Sequence, residues 1–247
     1  MSDFKTIIYE KKHNIAYITL NRPRVLNVYN IKMRDELYQV LRAIKDDAEV
    51  LAAIISGAGE KAFCAGSDLT EFLTASSPTS ARKASSQRNI WRDFSEIPQP
   101  LIAALHGYVL GAGLEIALFC DIRIAAEDAQ FGFPEAGLGI IPGAGGTQLL
   151  PRAIGQGKAL ELILSGSLVG AREAFNCGLV NQVVPGFKLL KTADGIARKI
   201  TAADPGAIRM AKQAIVRGSD MSTAEGLEME KRLAGYYLKY KGYRLSY

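Results

Sequence analysis

Histidine and cysteine are scarce in this chain. The two histidines, His13 and His106, stand alone, and the three cysteines, Cys64, Cys120 and Cys177, form neither a CxxC pair nor a Cys/His metal spacing. An odd, scattered set of thiols argues against a disulfide framework and fits reduced side chains in a cytoplasmic protein. No apolar run approaches the roughly 20 residues that cross a bilayer. The opening MSDFKTIIYEKKHN is charged and lacks the apolar core of a signal peptide. Charge of one sign is also lacking: 30 Lys and Arg against 25 Asp and Glu leave +5, scattered along the chain. That balance suits a small polyanionic ligand as well as a nucleic acid. No stretch, however, interleaves aromatic and basic side chains as an RNA-stacking platform does. The expectation is a protein that acts without metal, membrane or nucleic acid.

What is present is apolar and patterned. With 247 residues, 48% of them hydrophobic, the chain can bury a large core in one domain or two. Asn14–Asn21, Leu51–Gly57, Leu101–Val109 and Asp121–Ala126 read as strands bounded by turn residues. Between the first two, Ile31–Lys45 carries Met33, Leu37, Val40, Leu41 and Ile44 at helical spacing. Strands alternating with helices predict an α/β fold with mainly parallel pairing. Thr74–Arg88, rich in small and basic residues, reads as a mobile loop or the start of a helix. From about Pro185 the texture changes to three helical segments, Phe187–Ile200, Gly206–Arg217 and Ser222–Lys239. The predicted organisation is a mixed α/β unit over residues 1–185 and a helical region over 186–247.

Three glycine-containing stretches carry the chemistry. GAGLEIALFCD (Gly111–Asp121) sets a carboxylate, Glu115, in an apolar run. Unpaired there, it would cost several kcal/mol, roughly, or take up a proton. It has either a structural partner or a chemical use. A dinucleotide-binding GxGxxG turn is excluded, because Ile116 stands at the third glycine and too few residues remain for a crossover helix. A glycine turn opening a short helix presents unbonded backbone N–H groups able to stabilise an oxyanion, and Ala112 lies within it. AFCAGSDLTEF (Ala62–Phe72) is a second such turn. Ser67 and Asp68 also read as a helix N-cap, with Asp68 and Glu71 at capping-box spacing. In QFGFPEAGLGIIPGAGGTQ (Gln130–Gln148), Glu135 follows Pro134. Alone it reads as a solvated or capping residue; with Glu115 it makes a carboxylate pair that could divide acid and base work.

Together these stretches resemble the enoyl-CoA hydratase/isomerase, or crotonase, superfamily. NRPRVLN, AFCAGSDL, the block from Pro100 to Arg152 and AREAFNCGLVNQVVP carry the likeness over nearly the whole chain. The resemblance implies an α/β spiral of ββα units followed by a C-terminal helical region, assembled as a trimer or a dimer of trimers. It implies an acyl-CoA substrate whose thioester carbonyl is polarised by the N–H groups of Ser67 and Ala112. Glu115 would activate a water, Glu135 would exchange the proton at C2, and Gly143 would contribute a backbone contact near the water. Arg24, Val25 and Leu26 would line the CoA nucleotide, with Arg24 near a phosphate. Ala65, Asp68 and Leu69 would border the adenine and pantetheine. Coenzyme A belongs to the substrate, and no other cofactor is implied.

The chain departs from the family pattern in four places. Ser67 stands where alanine is commoner, and Ala112 replaces the middle glycine of the usual GGG. Val28 and Tyr29 follow Asn27 where the family usually has Ala-Leu. After KRLAGYYLK the chain ends in YKGYRLSY, where relatives usually continue into a further helix that helps cover the CoA. The reading that follows is an enoyl-CoA hydratase. The rivals are another crotonase reaction, such as double-bond isomerisation or cyclic dienoyl-CoA hydration, and an RNA-associated binder.

Overall fold

The computed structural model describes residues 4–72 and 89–242. The reading of Thr74–Arg88 lies outside the described residues. The chain opens with a hairpin, β1 (Ile7–Lys12) antiparallel to β2 (Ile15–Leu20). His13 and Asn14 turn it with φ of 48° and 64°, the pair of positive values a two-residue hairpin needs. A short 3-10 turn (Pro23–Val25) leads to α1 (Ile31–Asp46), capped by the Asn30 side chain, which accepts from the Met33 N–H at 2.9 Å. The five apolar residues read at helical spacing are all buried on one face of α1.

From there the chain winds as a spiral. Strand β3 (Ala52–Gly57) is followed by β4 (Ala62–Cys64) and α2 (Leu69–Phe72). After α3 (Ile90–Glu96) come β5 (Leu101–Leu105), β6 (Tyr108–Leu110) and α4 (Ala112–Phe119). Next are β7 (Ile122–Ala126), β8 (Gln130–Gly132) and a 3-10 turn, Pro134–Leu138. The remaining elements are α5 (Gly146–Ile154), α6 (Gln156–Ser165), β9 (Val169–Gly170), α7 (Ala171–Asn176) and β10 (Gln182–Val184), then α8 (Leu189–Thr201), α9 (Pro205–Gly218) and α10 (Thr223–Tyr240). One sheet has six strands in the order β1-β2-β3-β5-β7-β10, and the other has four in the order β4-β6-β8-β9. Each turn of the spiral therefore leaves one strand in each sheet. Pairing is parallel except for β1 with β2 and β8 with β9.

The sequence reading of Leu101–Val109 as one strand is corrected here. The run breaks at His106–Gly107, β5 joining the larger sheet and β6 the smaller. Gly107 makes the corner: its φ is 51°, and a Cβ would stand 2.1 Å from the Lys61 carbonyl oxygen. The first half, β5, is buried throughout and so shows no alternation that would mark where the strand ends.

The larger sheet is buried on both faces, with the period-two division that strands impose. Ala16, Ile18, Ala53, Ile55, Leu101, Ala103 and Ala125 face the main core with α1 and the smaller sheet. Ile15, Ala52, Ile54, Ile102, Ala104, Ile124 and Ala126 face the other way, onto Leu189, Ala193 and Ala197 of α8. Beyond β10 the described residues are helical, as the change of texture near Pro185 predicts. Helices α9 and α10 pack on each other but bury little else. Among α9 residues none is buried, and in α10 Met229 is.

Candidate active site

Strands β4, β6 and β8 are adjacent and parallel, so their carboxyl ends lie side by side. Crevices at such ends are where open α/β sheets place ligands. Ser67 follows β4, Ala112 follows β6 and Glu135 follows β8, so three residues far apart in sequence leave one edge together.

Ser67 is held by a single parallel bridge to Tyr29. The Tyr29 N–H donates to Gly66 at 2.8 Å, and the Asp68 N–H donates to the Tyr29 carbonyl at 2.8 Å. In this pattern both polar groups of Tyr29 face the 66–68 segment, so the Ser67 N–H faces away from it. Ala112 is the first residue of α4, where an N–H has no intrahelical acceptor. Among the described residues neither the Ser67 nor the Ala112 N–H has a hydrogen-bond acceptor. Gly113, one residue on, packs so closely that a Cβ would stand 2.1 Å from the Cys64 carbonyl oxygen. That contact fixes the start of α4 against the end of β4.

Glu115 is 2% exposed. Its Oε1 accepts from the Ala144 N–H at 2.8 Å and the Gly146 N–H at 2.9 Å. Gly146 opens α5, so the carboxylate sits at a helix N-terminus, where the dipole favours negative charge. Burial pushes the Glu115 carboxyl above its ordinary range, and the two amide bonds pull the other way. The sequence left open whether this acid has a structural partner or a chemical use. It has both amide partners and an apolar surround that keeps its proton affinity raised.

Glu135 lies on the 3-10 turn after β8, half-buried, with its Oε1 against Gly111. Its Oε2 is buried without a hydrogen-bond partner among the described residues. Burial is the first cause that raises its pKa; the charge of Glu115 adds to it, against a bond from its own backbone N–H. Two nearby carboxyls thus have different surroundings, one stapled by two amides of a distant loop and one with a buried oxygen left unpartnered among the described residues, which is the condition for dividing proton work.

The residues assigned to the nucleotide form a second cluster beside Ser67. The Ala65 N–H donates to the Leu26 carbonyl at 3.0 Å, which zips the Pro23–Val25 turn to the end of β4. Arg24, Val25 and Leu69 are exposed on this patch. Asp68 takes up an ion pair with Arg22 at 3.0 Å and a hydrogen bond from the Thr70 hydroxyl at 2.6 Å. The Thr70 hydroxyl bond is the largest effect on its carboxyl; burial, the next, raises the pKa, and the Arg22 bond with the Thr70 N–H bond helps hold it below the ordinary range. The Asp68 N–H that an Asp68/Glu71 capping box would give to Glu71 goes to the Tyr29 carbonyl, and the Glu71 carboxylate accepts from the Ile31 N–H at 2.7 Å. Gly143 lies apart from this cluster, exposed on the loop before α5 and next to Ala144.

Sequence reasoning missed Ala144 and Gly146 as holders of Glu115, although both lie in the IPGAGG loop from which Gly143 was taken. It also missed Asn27, fully buried, whose amide donates to the carbonyls of Ala58 at 2.9 Å and Ala62 at 2.8 Å and so ties the Pro23–Val25 turn to β4. A cavity of about 420 Å³ lined by Gly57, Glu60, His106, Asp128 and Leu190 opens at the larger sheet, and it holds none of the predicted site residues. Among the described residues no group of three or more His, Cys, Asp or Glu could hold a metal ion, and no helix is long and apolar enough to cross a membrane.

Unbonded backbone donors beside two raised carboxyls, at the carboxyl edge of a parallel sheet, are groups able to stabilise an oxyanion and to move protons. A sequence model described as enoyl-CoA hydratase/isomerase matches residues 10–245, and the chain belongs to that family. It is 43% identical over 230 residues to the short-chain-enoyl-CoA hydratase of Clostridium acetobutylicum, covering 92% of this chain and 88% of the relative. It is 38% identical over 229 residues to the crotonyl-CoA hydratase of Syntrophomonas wolfei, covering 92% and 88%. The crystal structure of an enoyl-CoA hydratase from Bacillus anthracis superposes with a TM-score of 0.89 at 40% identity, covering 98% of this chain and 99% of that one. The fold is the crotonase spiral with its C-terminal helical region.

Proposed function

We propose that this enzyme is an enoyl-CoA hydratase that adds water reversibly across the C2–C3 double bond of a 2-enoyl-CoA. The observation that carries the reading is the pair of glutamates at the Gly111 turn from which the Ala112 N–H emerges: Glu135, packed at Gly111, and Glu115, in the helix that Gly111 caps. The thioester oxygen accepts from the N–H groups of Ser67 and Ala112. As the water oxygen bonds to C3, its proton passes to ionised Glu115. The π electrons move through C2 onto the thioester oxygen, where the two donors stabilise the enolate-like charge. The electron pair returns from the thioester oxygen as C2 takes a proton from Glu135, which completes the addition; Glu115 then gives up its proton and Glu135 regains one, through solvent, before the next turnover. The exposed N–H of Gly143 contacts the water.

Arg24, Val25 and Leu26 line the CoA nucleotide, with Arg24 at a phosphate, and Ala65, Asp68 and Leu69 border the adenine and pantetheine. Zipping of these two segments by the Leu26–Ala65 bond supports that grouping. The reaction needs no cofactor beyond the CoA carried by the substrate. The enzyme works in the cytoplasm, a placement its three free thiols support. It assembles as a trimer or dimer of trimers through its helical region. Ile215, Leu227 and Tyr236 support this, being 71%, 60% and 64% exposed on helices that bury little within the chain. Residues 1–185 form the catalytic unit and 186–247 the oligomerisation and covering region.

The deciding experiment incubates the protein with crotonyl-CoA and follows enoyl-thioester absorbance together with product mass. Loss of absorbance with a product heavier by one water is expected. A product of unchanged mass with a moved double bond would make the enzyme an isomerase, and an inert mixture would overturn the reading.

A further inference from the structure

Tyr29 stands where the resemblance leads one to expect leucine, and the structure places it beside the reacting groups. Its backbone forms the bridge to Ser67, so its position is set by the same hydrogen bonds that orient that donor. Its ring leans on Trp91 of α3, centroids 5.6 Å apart at 45°. Trp91 in turn stacks on Phe119, 5.8 Å away. Phe119 lies four residues after Glu115 in α4, hence on the same helical face. Phe94 backs both Trp91 and Phe119 at 6.4 and 6.0 Å and is itself 1% exposed.

A continuous wall of rings therefore runs from the neighbour of one oxyanion donor to the face that carries Glu115. Tyr29, Trp91 and Phe119 are each only partly buried, whereas Phe94 behind them is closed off. Braced by Phe94 from behind, the three partly buried rings span the distance between the segment that carries Ser67 and the helix face that carries Glu115. In the hydratase reading, C1 of the acyl group lies at Ser67 and Ala112 and C3 lies at Glu115. The chain beyond C3 must then pass the rings. Stacked rings with few rotatable bonds yield less to a long alkyl chain than an aliphatic side chain does.

We infer that Tyr29, braced by Trp91, is a specificity-determining residue that limits the enzyme to short 2-enoyl chains. This inference rests on the hydratase reading. Its test measures kcat/KM for crotonyl-CoA and 2-decenoyl-CoA with wild type, Tyr29→Leu, Tyr29→Phe and Trp91→Ala. Wild type is expected to favour crotonyl-CoA by about tenfold or more. Tyr29→Leu should raise the decenoyl-to-crotonyl ratio by at least about tenfold, mainly through KM for the longer substrate. Trp91→Ala should move the ratio the same way, and Tyr29→Phe, which keeps the ring, should keep the wild-type ratio. Equal use of both substrates by wild type, or a Tyr29→Leu ratio unchanged, overturns the inference. If wild type hydrates neither substrate, the hydratase reading falls separately. The wall is then judged by Kd for butyryl-CoA against decanoyl-CoA, whose ratio Tyr29→Leu must still shift.

Discussion

Glu135 occupies the place a side chain would take at Gly111: a Cβ there would stand 2.5 Å from Glu135 Oε1, and the glycine φ is 49°. The glycine is therefore required twice, by backbone conformation and by the acid packed on it. Gly111→Ala should push Glu135 off its position and lower kcat on crotonyl-CoA by about 10²–10⁴-fold, the usual worth of a positioned acid or base. Affinity for a saturated acyl-CoA should change far less, because the residues proposed to hold the nucleotide lie on another turn. Wild-type kcat in this variant would show that Glu135 does not act from that position.

Glu115→Gln and Glu135→Gln are each expected to cost about 10²–10⁴-fold in kcat. The double variant should lose much less than the product of the two factors, since the acids serve one addition. Steady-state turnover of the three variants at saturating substrate checks this. Multiplicative losses would mean that the acids act independently.

Proline at helix position N1 is well tolerated, and Ala112 is the N1 residue of α4. Ala112→Pro therefore removes one N–H with little structural penalty. It should fold with a melting temperature near that of wild type and lose about 10²–10³-fold in kcat, as removal of a single oxyanion donor does. A folded, fully active Ala112→Pro protein would exclude this donor.

The Ala144 N–H bond to Glu115 lowers that carboxyl's pKa against the larger effect of burial. Ala144→Pro removes the bond, so the pKa should rise further. Activity that needs ionised Glu115 falls as pH drops through this pKa, so the acid limb of the kcat profile should move to higher pH. A limb that stays in place would disconnect it from Glu115.

Glu135 carries a stability cost as well. Its pKa is raised from the ordinary value of 4.5, by burial first and by Glu115 second, and its Oε2 is unpartnered among the described residues. A carboxyl with a raised folded-state pKa favours the fold most below its unfolded pKa, about 4.3. That contribution is lost as pH rises through the folded value. Glu135→Gln should therefore raise the melting temperature at neutral pH. The gain should shrink toward pH 4, and calorimetry at both pH values would reveal a pH-independent gain if the cost had another origin.

Much of this protein is determined locally. The stripe of Met33, Leu37, Val40, Leu41 and Ile44 specifies α1, because only a helix puts all five on one buried face. The run after Gly111 specifies a short helix with unbonded donors at its start, and the motifs around Glu115 and Glu135 carry the family. Local signals fail where burial removes contrast. In Leu101–Val109 the His106–Gly107 pair interrupts the apolar pattern only briefly, and the corner there is fixed by the close approach of the Lys61 carbonyl, a contact between distant residues. The same is true of the site. Parallel pairing of β4, β6 and β8 decides that Ser67, Ala112 and Glu135 share one edge, and folding of the 142–146 loop onto α4 decides which amides hold Glu115. The aromatic wall is likewise tertiary, since Tyr29, Trp91 and Phe119 have no common period in the chain. Sequence alone thus determined which chemical groups are present and which segments carry them. Only the tertiary structure decided their mutual positions and proton affinities, because both depend on neighbours that the chain brings together from far apart.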